Sequence, residues 1–417
     1  MPISHDGDVP SPPAVFPVCF EQVVEAADRL RGSVIRTPAE VSTTLSERTG
    51  AHIVVKFENM QHTGSFKDRG SLNRILGLTA EERSLGIIAM SAGNHAQGVA
   101  YHAGRLGIPA TVVMPATAPF TKVSRTRALG AEVVQAGASL TEASAVVDTL
   151  IAQGGQTLIH PYDHPLIIAG QGTCGIELFE DHPDLDVVVV PVGGGGLISG
   201  IALAASGLVP KAEIIGVQTE LYPAMVRRRE GRVDGGRGGN SIADGIAVKR
   251  PGRLTGSLID ALVTDLVTVS EARIEEALGL LIELEKTVVE GAGAASFAAI
   301  LDNPQRFAGR RVGLILSGGN IDPRLLASVI QRSLFRQGRM TRMRVEADDL
   351  PGRLADVLAT VGRLGGNIVD VSHQRLITSV PVRRVDLDIT IETLDHGHLT
   401  SIVDALEADG HSVEFLK

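Results

Sequence analysis

The chain has 417 residues, which at roughly 150 residues per domain allows two or three domains and a core that needs no metal or disulfide staple. Acidic residues outnumber basic ones by 48 to 39, for a net charge of -9, which argues against a nucleic-acid binder, whose phosphate contacts need concentrated lysine and arginine. Aromatic residues make up only 3% with no tryptophan, so stacking on sugars or bases is unsupported, while 47 glycines and 44% hydrophobic content fit an α/β protein with many tight turns.

Residues 1–17, MPISHDGDVPSPPAVFP, are acidic and proline-rich where a secretory signal needs a basic and then an apolar segment, and are expected to form a loose, disordered tail. Cys19 to Arg31 has helical periodicity, and Ile53 to Phe57 is a short apolar strand that runs into NMQHTGSFKDRG. Further strands follow at 86–90, 110–115, 131–135, 187–192, 213–218 and 312–317, alternating with amphipathic stretches. Near-continuous Val/Ile runs of this kind indicate parallel strands buried on both faces, with ligands held in a crevice beyond their carboxyl ends. Residues 187–210 are uncharged and as long as a membrane span. The GGGG at their centre instead reads as a strand, a tight turn and a packed helix. Cys19 and Cys174 are too few and too far apart for a disulfide framework or a metal cluster, so a reducing cytoplasm is the expected location, with no membrane association.

An arginine-rich stretch at 332–344 marks the expected domain junction. We expect a catalytic domain over 18–335, with a smaller inserted lobe at about 86–160, and a second domain over 336–417. The tail reads as strand 341–347, helix 352–364, strands 367–375 and 382–393, helix 397–408 and strand 411–416, a βαββαβ module. The clean alternation of VDLDITIET predicts a sheet with one covered and one open face.

Four segments at strand-to-helix junctions carry the chemistry. In GGGGL, Gly193 to Leu197, unhindered backbone N–H groups can converge on a phosphate at a helix start, although a close strand-helix crossing also explains such glycines. It is neither GxGxxG nor a nucleotide-triphosphate loop. SFKDRG offers Lys67, an amine able to form a Schiff base with an aldehyde cofactor; taken alone, Asp68 and Arg69 beside it describe an exposed charged turn. SAGNHAQG, Ser91 to Gly98, can grasp a carboxylate or simply cap a helix, with His95 bonded to local backbone. SGGN, Ser317 to Asn320, places a hydroxyl where a ring nitrogen could sit, or is a plain turn.

Together these motifs resemble the threonine ammonia-lyase, or threonine dehydratase, family of pyridoxal-phosphate enzymes with the type II, tryptophan synthase beta-like fold of two open α/β lobes. The resemblance runs from about residue 20 to 330 and includes IRTP at Ile35, HPYD at His160, GQGT at Gly170, ADGIAV at Ala243 and EGAGA at Glu290. It implies pyridoxal 5'-phosphate on Lys67, with Phe66 against the cofactor ring, Asn94 donating to its phenolic oxygen, Gly193, Gly194, Gly195 and Gly196 cradling the phosphate, and Ser317 at the pyridine nitrogen. Ser91, Ala92, Gly93, Asn94 and His95 would hold the substrate carboxylate. The implied reaction is β-elimination of L-threonine to 2-oxobutanoate and ammonia, and of L-serine to pyruvate and ammonia. A hydroxyl at Ser317, which need not protonate the pyridine, favours elimination over transamination.

Serine racemase and hydroxyaspartate ammonia-lyase share the fold and remain alternatives, as does a non-catalytic amino-acid sensor. In the similar eukaryotic racemases a serine works as acid and base where this chain has Ala92, and an acidic residue binds a divalent cation where it has Gln218, with Glu220 only nearby. No essential metal is therefore expected. DLPGRLADVL, Asp349 to Leu358, with the following GGNIVDVSHQR, resembles the start of an ACT regulatory domain. The resemblance implies an isoleucine or valine effector at the Pro351–Gly352 turn, or a module that only assembles a homodimer or homotetramer.

Overall fold

A computed structural model describes residues 16–137, 140–232, 234–374 and 383–416. Up to residue 15 the expected loose tail lies outside the described residues, and Phe16 at its end rests half-buried on the core beside Val18.

The strands in chain order are β1 (Ala39–Ser42), β2 (His52–Lys56), β3 (Ile87–Met90), β4 (Ala110–Met114), β5 (Glu132–Gln135), β6 (Thr157–Leu158), β7 (Val187–Pro191), β8 (Glu213–Thr219), β9 (Asp265–Val269), β10 (Arg311–Ile315), β11 (Met340–Asp348), β12 (Asn367–Gln374), β13 (Arg384–Glu392) and β14 (Ser412–Phe415). By contacts the chain divides into residues 1–321 and 322–417. The helix Pro323–Arg336 thus groups with the C-terminal unit, where it packs on β11. The junction expected at 335 lies in the last turn of this helix, and the arginines of the stretch 332–344 are shared between the helix and β11.

In the first unit, a large sheet has the order β1-β2-β10-β7-β8-β9, parallel apart from the antiparallel edge strand β1. A smaller, wholly parallel sheet, β5-β4-β3-β6, forms the second lobe. Every residue of β7 is buried, which is what its uninterrupted valines require between two helical layers. The uncharged stretch 187–210 resolves into β7, the glycine turn and the helix Gly196–Leu208. Among the described residues no helix is long and apolar enough to cross a membrane.

The decisive feature of the large sheet is the adjacency of β2, β10 and β7. The SFKDRG turn follows β2, SGGN follows β10 and GGGGL follows β7. Segments some 120 to 250 residues apart in sequence therefore emerge side by side at the carboxyl ends of neighbouring parallel strands. An isolated bridge between Ser65 and Gly318 ties the first two turns together.

The C-terminal unit is a four-stranded antiparallel sheet, β12-β13-β11-β14, covered by the helices Arg353–Arg363 and His396–Ala408 in βαββαβ order. β11 alternates buried and accessible residues as an open-faced sheet should, but Asp386 and Asp388 on β13 are buried as well. Arg344 forks onto Asp388 at 2.7 and 3.0 Å, so the stems of long arginines cover a face that the sequence pattern predicts to be open.

Candidate active site

Lys67 is the first residue of the helix Lys67–Leu76. Its Nζ donates to the main-chain oxygen of Pro161 at 2.8 Å and lies 5.0 Å from the centre of the Phe66 ring. Burial pulls the amine down to about 8, against the opposing charge of Glu290, so a useful fraction is neutral and nucleophilic near neutral pH.

The turn that carries Lys67 is held from beneath. Asp68 and Arg69 are both fully buried, which overturns the exposed-turn reading. Asp68 accepts from the N–H and hydroxyl of Thr63, each at 2.8 Å. The Arg69 guanidinium makes two bonds to Glu58 (2.7 and 2.8 Å) and two to Glu177 (both 2.7 Å). Lys56 adds a second cation, 2.6 Å from Glu177. Burial acts to raise the Glu58 carboxyl, but the Arg69 charge and hydrogen bonds, with Lys56 and Thr37, keep it below its ordinary value. A glance at local sequence cannot show this, because the partners come from distant segments.

The glycine loop follows β7, and β2 and β7 lie two strand spacings apart, roughly 10 Å. Gly195 is left-handed, at φ +93°, and caps the helix Gly196–Leu208. A Cβ on Gly194 would fall 2.2 Å from the Tyr162 ring, one on Gly196 3.1 Å from Tyr162, and one on Gly193 3.1 Å from Ile246. A side chain has no room at Gly194 and would crowd its neighbours at Gly193 and Gly196, and the loop presents main chain only. Among the described residues the N–H groups of Gly194, Gly195, Gly196 and Leu197 find no acceptor, and Ser199 is the first whose N–H bonds back, to Gly195 at 3.0 Å. Such unpaired donors at a helix start form an anion cradle.

HPYD, which the sequence marks without assigning a role, connects these parts. His160 Nδ1 accepts from the N–H groups of Tyr162 and Asp163 at 3.2 and 2.8 Å. Asp163 in turn caps the helix Arg253–Leu262 through the N–H groups of Arg253 and Thr255, and the Thr255 hydroxyl bonds Gly194 O at 2.7 Å. One short segment therefore supplies the acceptor for Lys67, the wall of the glycine loop and the anchor of a neighbouring helix.

SAGN follows β3 of the small lobe. Ser91 Oγ accepts the N–H of Gly93 at 3.1 Å, and the helix Asn94–Leu106 begins immediately after. Ala92 packs against the small-lobe core. The imidazole of His95 turns inward, bonded to Ile159 O at 2.7 Å, and burial, with the nearby Lys67 charge, drives it down to about 3. It is neutral, and what His95 offers the cleft is its backbone. Asn94 Nδ2 donates to Glu290 at 2.7 Å, and its Oδ1 accepts from Asn320 at 2.9 Å. Ser317 is buried at the end of β10, its carbonyl bonded by Phe66 N–H at 3.1 Å. The structure thus gathers Phe66, Lys67, Asn94 and Ser317 into one bonded neighbourhood and adds Tyr162, Glu290 and Asn320, to which the sequence reading gave no part.

Gln218 is fully buried and spent on main chain: its amide donates to Val192 O at 3.1 Å and accepts from the N–H groups of Met225 and Val226 at 2.8 and 3.1 Å. Among the described residues no group of three or more His, Cys, Asp or Glu side chains is arranged to hold a metal ion.

A lysine amine of lowered basicity and a backbone anion cradle, both at the carboxyl ends of parallel strands in a two-lobed α/β fold, define a class of protein suited to a phosphorylated aldehyde cofactor. Residues 30–318 match the family model described as pyridoxal-phosphate dependent enzyme. The chain is 44% identical to an L-threonine ammonia-lyase of Thermotoga maritima over 96% of this chain and 100% of that one. Among solved structures it resembles the processed form of threonine deaminase isoform 2 from Solanum lycopersicum (33% identity, TM-score 0.71, covering 75% of this chain and 92% of that one). A maize serine racemase is similar too (33%, TM-score 0.72, 77% and 99%). The chain belongs to the pyridoxal-phosphate dependent enzymes, in the branch of threonine ammonia-lyase type.

Proposed function

We propose that this enzyme eliminates water from L-threonine to give an enamine, whose hydrolysis after release takes the water back and yields 2-oxobutanoate and ammonia, and that it treats L-serine likewise to give pyruvate and ammonia. The observation that carries this is the buried Lys67 amine, lowered to about 8 and bonded to Pro161, whose neighbour Tyr162 walls the loop of unpaired main-chain amides. The likeness to a threonine ammonia-lyase and a threonine deaminase supports threonine as substrate. Bound here, the pyridoxal ring supplies an electron sink for the α-carbon. Lys67 would hold the cofactor, and its free amine would take the substrate's α-proton. The amides of Gly193, Gly194, Gly195 and Gly196 hold the phosphate, Phe66 packs on the ring, and Asn94 donates to the phenolic oxygen. Ser317 meets the pyridine nitrogen with a neutral hydroxyl. Ser91, Ala92, Gly93, Asn94 and the main chain of His95 seat the substrate carboxylate at the start of a helix. Ala92 offers no acid or base on the second face of the substrate, which favours elimination over racemisation.

The catalytic part is assigned to 18–335 and a regulatory ACT-like part to 336–417, with the chain working as a homodimer or homotetramer in the cytoplasm. A cavity of about 180 Å³ within the C-terminal unit, lined by Asp348, Asp349, Leu350, Gly352, Arg353 and Leu354 among others, supports an amino-acid effector. Its carboxylates suit an ammonium, Arg353 a carboxylate, and the leucines an isoleucine or valine side chain.

The test is to add L-threonine and L-serine to the purified enzyme while recording its visible spectrum, assaying 2-oxoacid and D-serine in the same reactions. Threonine should yield 2-oxobutanoate with no D-serine from serine, and Lys67→Ala should lose both turnover and the lysine-bound absorbance. An undiminished absorbance in Lys67→Ala would sink the lysine assignment.

A further inference from the structure

We infer that Glu290 is a positioning residue which fixes the amide of Asn94, and so decides which group of that amide faces the cofactor's phenolic oxygen. The inference rests on the cofactor site proposed above. Glu290 stands immediately before the helix Gly291–Asp302 and is only 5% exposed. Its main-chain N–H donates to Gly318 O at 2.9 Å, so the residue is fastened to the turn that follows β10.

The hydrogen-bond inventory around Asn94 leaves one solution. An asparagine amide has two donors on nitrogen and an acceptor oxygen. Oδ1 accepts from Asn320 Nδ2 at 2.9 Å, and Asn320 Nδ2 is itself anchored by Thr63 O at 2.7 Å, so both of its hydrogens are in use. One hydrogen of Asn94 Nδ2 goes to Glu290 Oε1 at 2.7 Å. Turning the amide over would set its NH2 against that of Asn320 in either protonation state of Glu290, and its oxygen against the carboxylate whenever Glu290 is ionised. The second hydrogen on Nδ2 is the donor left for the cleft.

The seat of the carboxylate is built for it. A Cβ on Gly318 would lie 2.6 Å from Glu290 Oε1, and one on Gly245 3.2 Å from it. Two motifs with no separate role in the reaction, ADGIAV and EGAGA, thus meet the SGGN turn at one oxygen atom. Lys67 on its helix, Asp244 on the turn Asp244–Ile246 and Lys122 on the helix Phe120–Ala128 are the charged groups that act on it. Burial and then Asp244 raise the carboxyl to about 7, while the Asn94 bond, Lys122 and Lys67 oppose them. An acid in either protonation state still accepts from Asn94.

The experiment compares Glu290→Gln, Glu290→Ala, Glu290→Asp, Asn94→Ala and Glu290→Ala/Asn94→Ala in the full-length, cofactor-loaded enzyme. It reads the dissociation constant of pyridoxal 5'-phosphate and the visible absorbance maximum of the lysine-bound cofactor between pH 6 and 9. Glu290→Ala is expected to weaken cofactor binding about tenfold or more, the cost of a lost hydrogen bond to a charged group, and to move the absorbance to that of Asn94→Ala. The double variant should be no worse than Asn94→Ala. Glu290→Gln, which offers an oxygen in the same place, should keep binding within about threefold of the parent while altering the pH dependence of the absorbance. Should Glu290→Ala fail to fold, Glu290→Asp, one methylene too short for the bond, carries the same expectation. Parental affinity and spectrum in Glu290→Ala or Glu290→Asp, or losses that multiply in the double variant, would overturn the inference. Failure of the cofactor site itself reads differently, as a parent protein with no lysine-bound absorbance.

Discussion

Replacing Arg69 by methionine removes one cation from a buried group of two cations and two carboxylates. Lys56 alone then faces both Glu58 and Glu177. Four charge-assisted bonds of 2.7 to 2.8 Å disappear from a site where the Arg69 and Lys56 side chains have no exposure to water. Breaking a buried ion pair on one side costs about 3 to 5 kcal/mol, out of the roughly 5 to 15 that hold a typical protein folded. With a urea dependence of ~3 kcal/mol per molar, the midpoint of denaturation, followed by far-ultraviolet circular dichroism, should fall by about 1 M or more. Adding Glu177→Gln to Arg69→Met restores the balance of one cation and one carboxylate. The pair should therefore cost less than the sum of the single changes by about 0.5 to 3 kcal/mol. A midpoint for Arg69→Met within ~0.2 M of the parent is what a surface substitution gives, and it would refute the argument.

Gly194→Ala drives a methyl group to 2.2 Å from the Tyr162 ring, so the loop must shift, and cofactor should be lost on dialysis about tenfold faster; unchanged retention would show that the loop does not seat the phosphate. Because Lys67 sits near 8 and only the neutral amine attacks an aldehyde, the rate at which cofactor-free protein recaptures pyridoxal phosphate should rise with pH to a midpoint near 8; a midpoint near 10, as for an ordinary lysine, would contradict the burial argument. Exhaustive chelation should leave turnover intact, since the Gln218 amide is already bonded to Val192, Met225 and Val226; a loss reversed specifically by magnesium or manganese would count against this.

The parallel strands with unbroken valine and isoleucine were legible because burial on both faces demands that composition. Lys67 and the glycine run were legible because each sits at a strand-to-helix junction and offers a chemistry its neighbours lack. Strands β1, β6 and β9 were not, for physical reasons. Ala39–Ser42 is a polar edge, Thr157–Leu158 is two residues long, and Asp265–Val269 gains its partner only from the returning β8. Arg69 was misread because a charged residue looks exposed until the carboxylates of Glu58 and Glu177 are brought to it. Glu290 and Tyr162 lay within motifs visible in the sequence, yet their parts depend on Asn94 and Gly194, neighbours that only the folded sheet supplies.

The position of β10 also orders events during synthesis. Residues 311–315 fill the gap between β2 and β7, so the large sheet is two separate pieces, each with an open apolar edge, until three-quarters of the chain has been made. A nascent chain that stops short of this strand carries Lys67 and the glycine loop without the strand that spaces them, and its bare edges are templates for aggregation. Cofactor capture is thereby placed after translation of the catalytic unit, and any truncation ahead of residue 311 should yield an insoluble product rather than a partly active one.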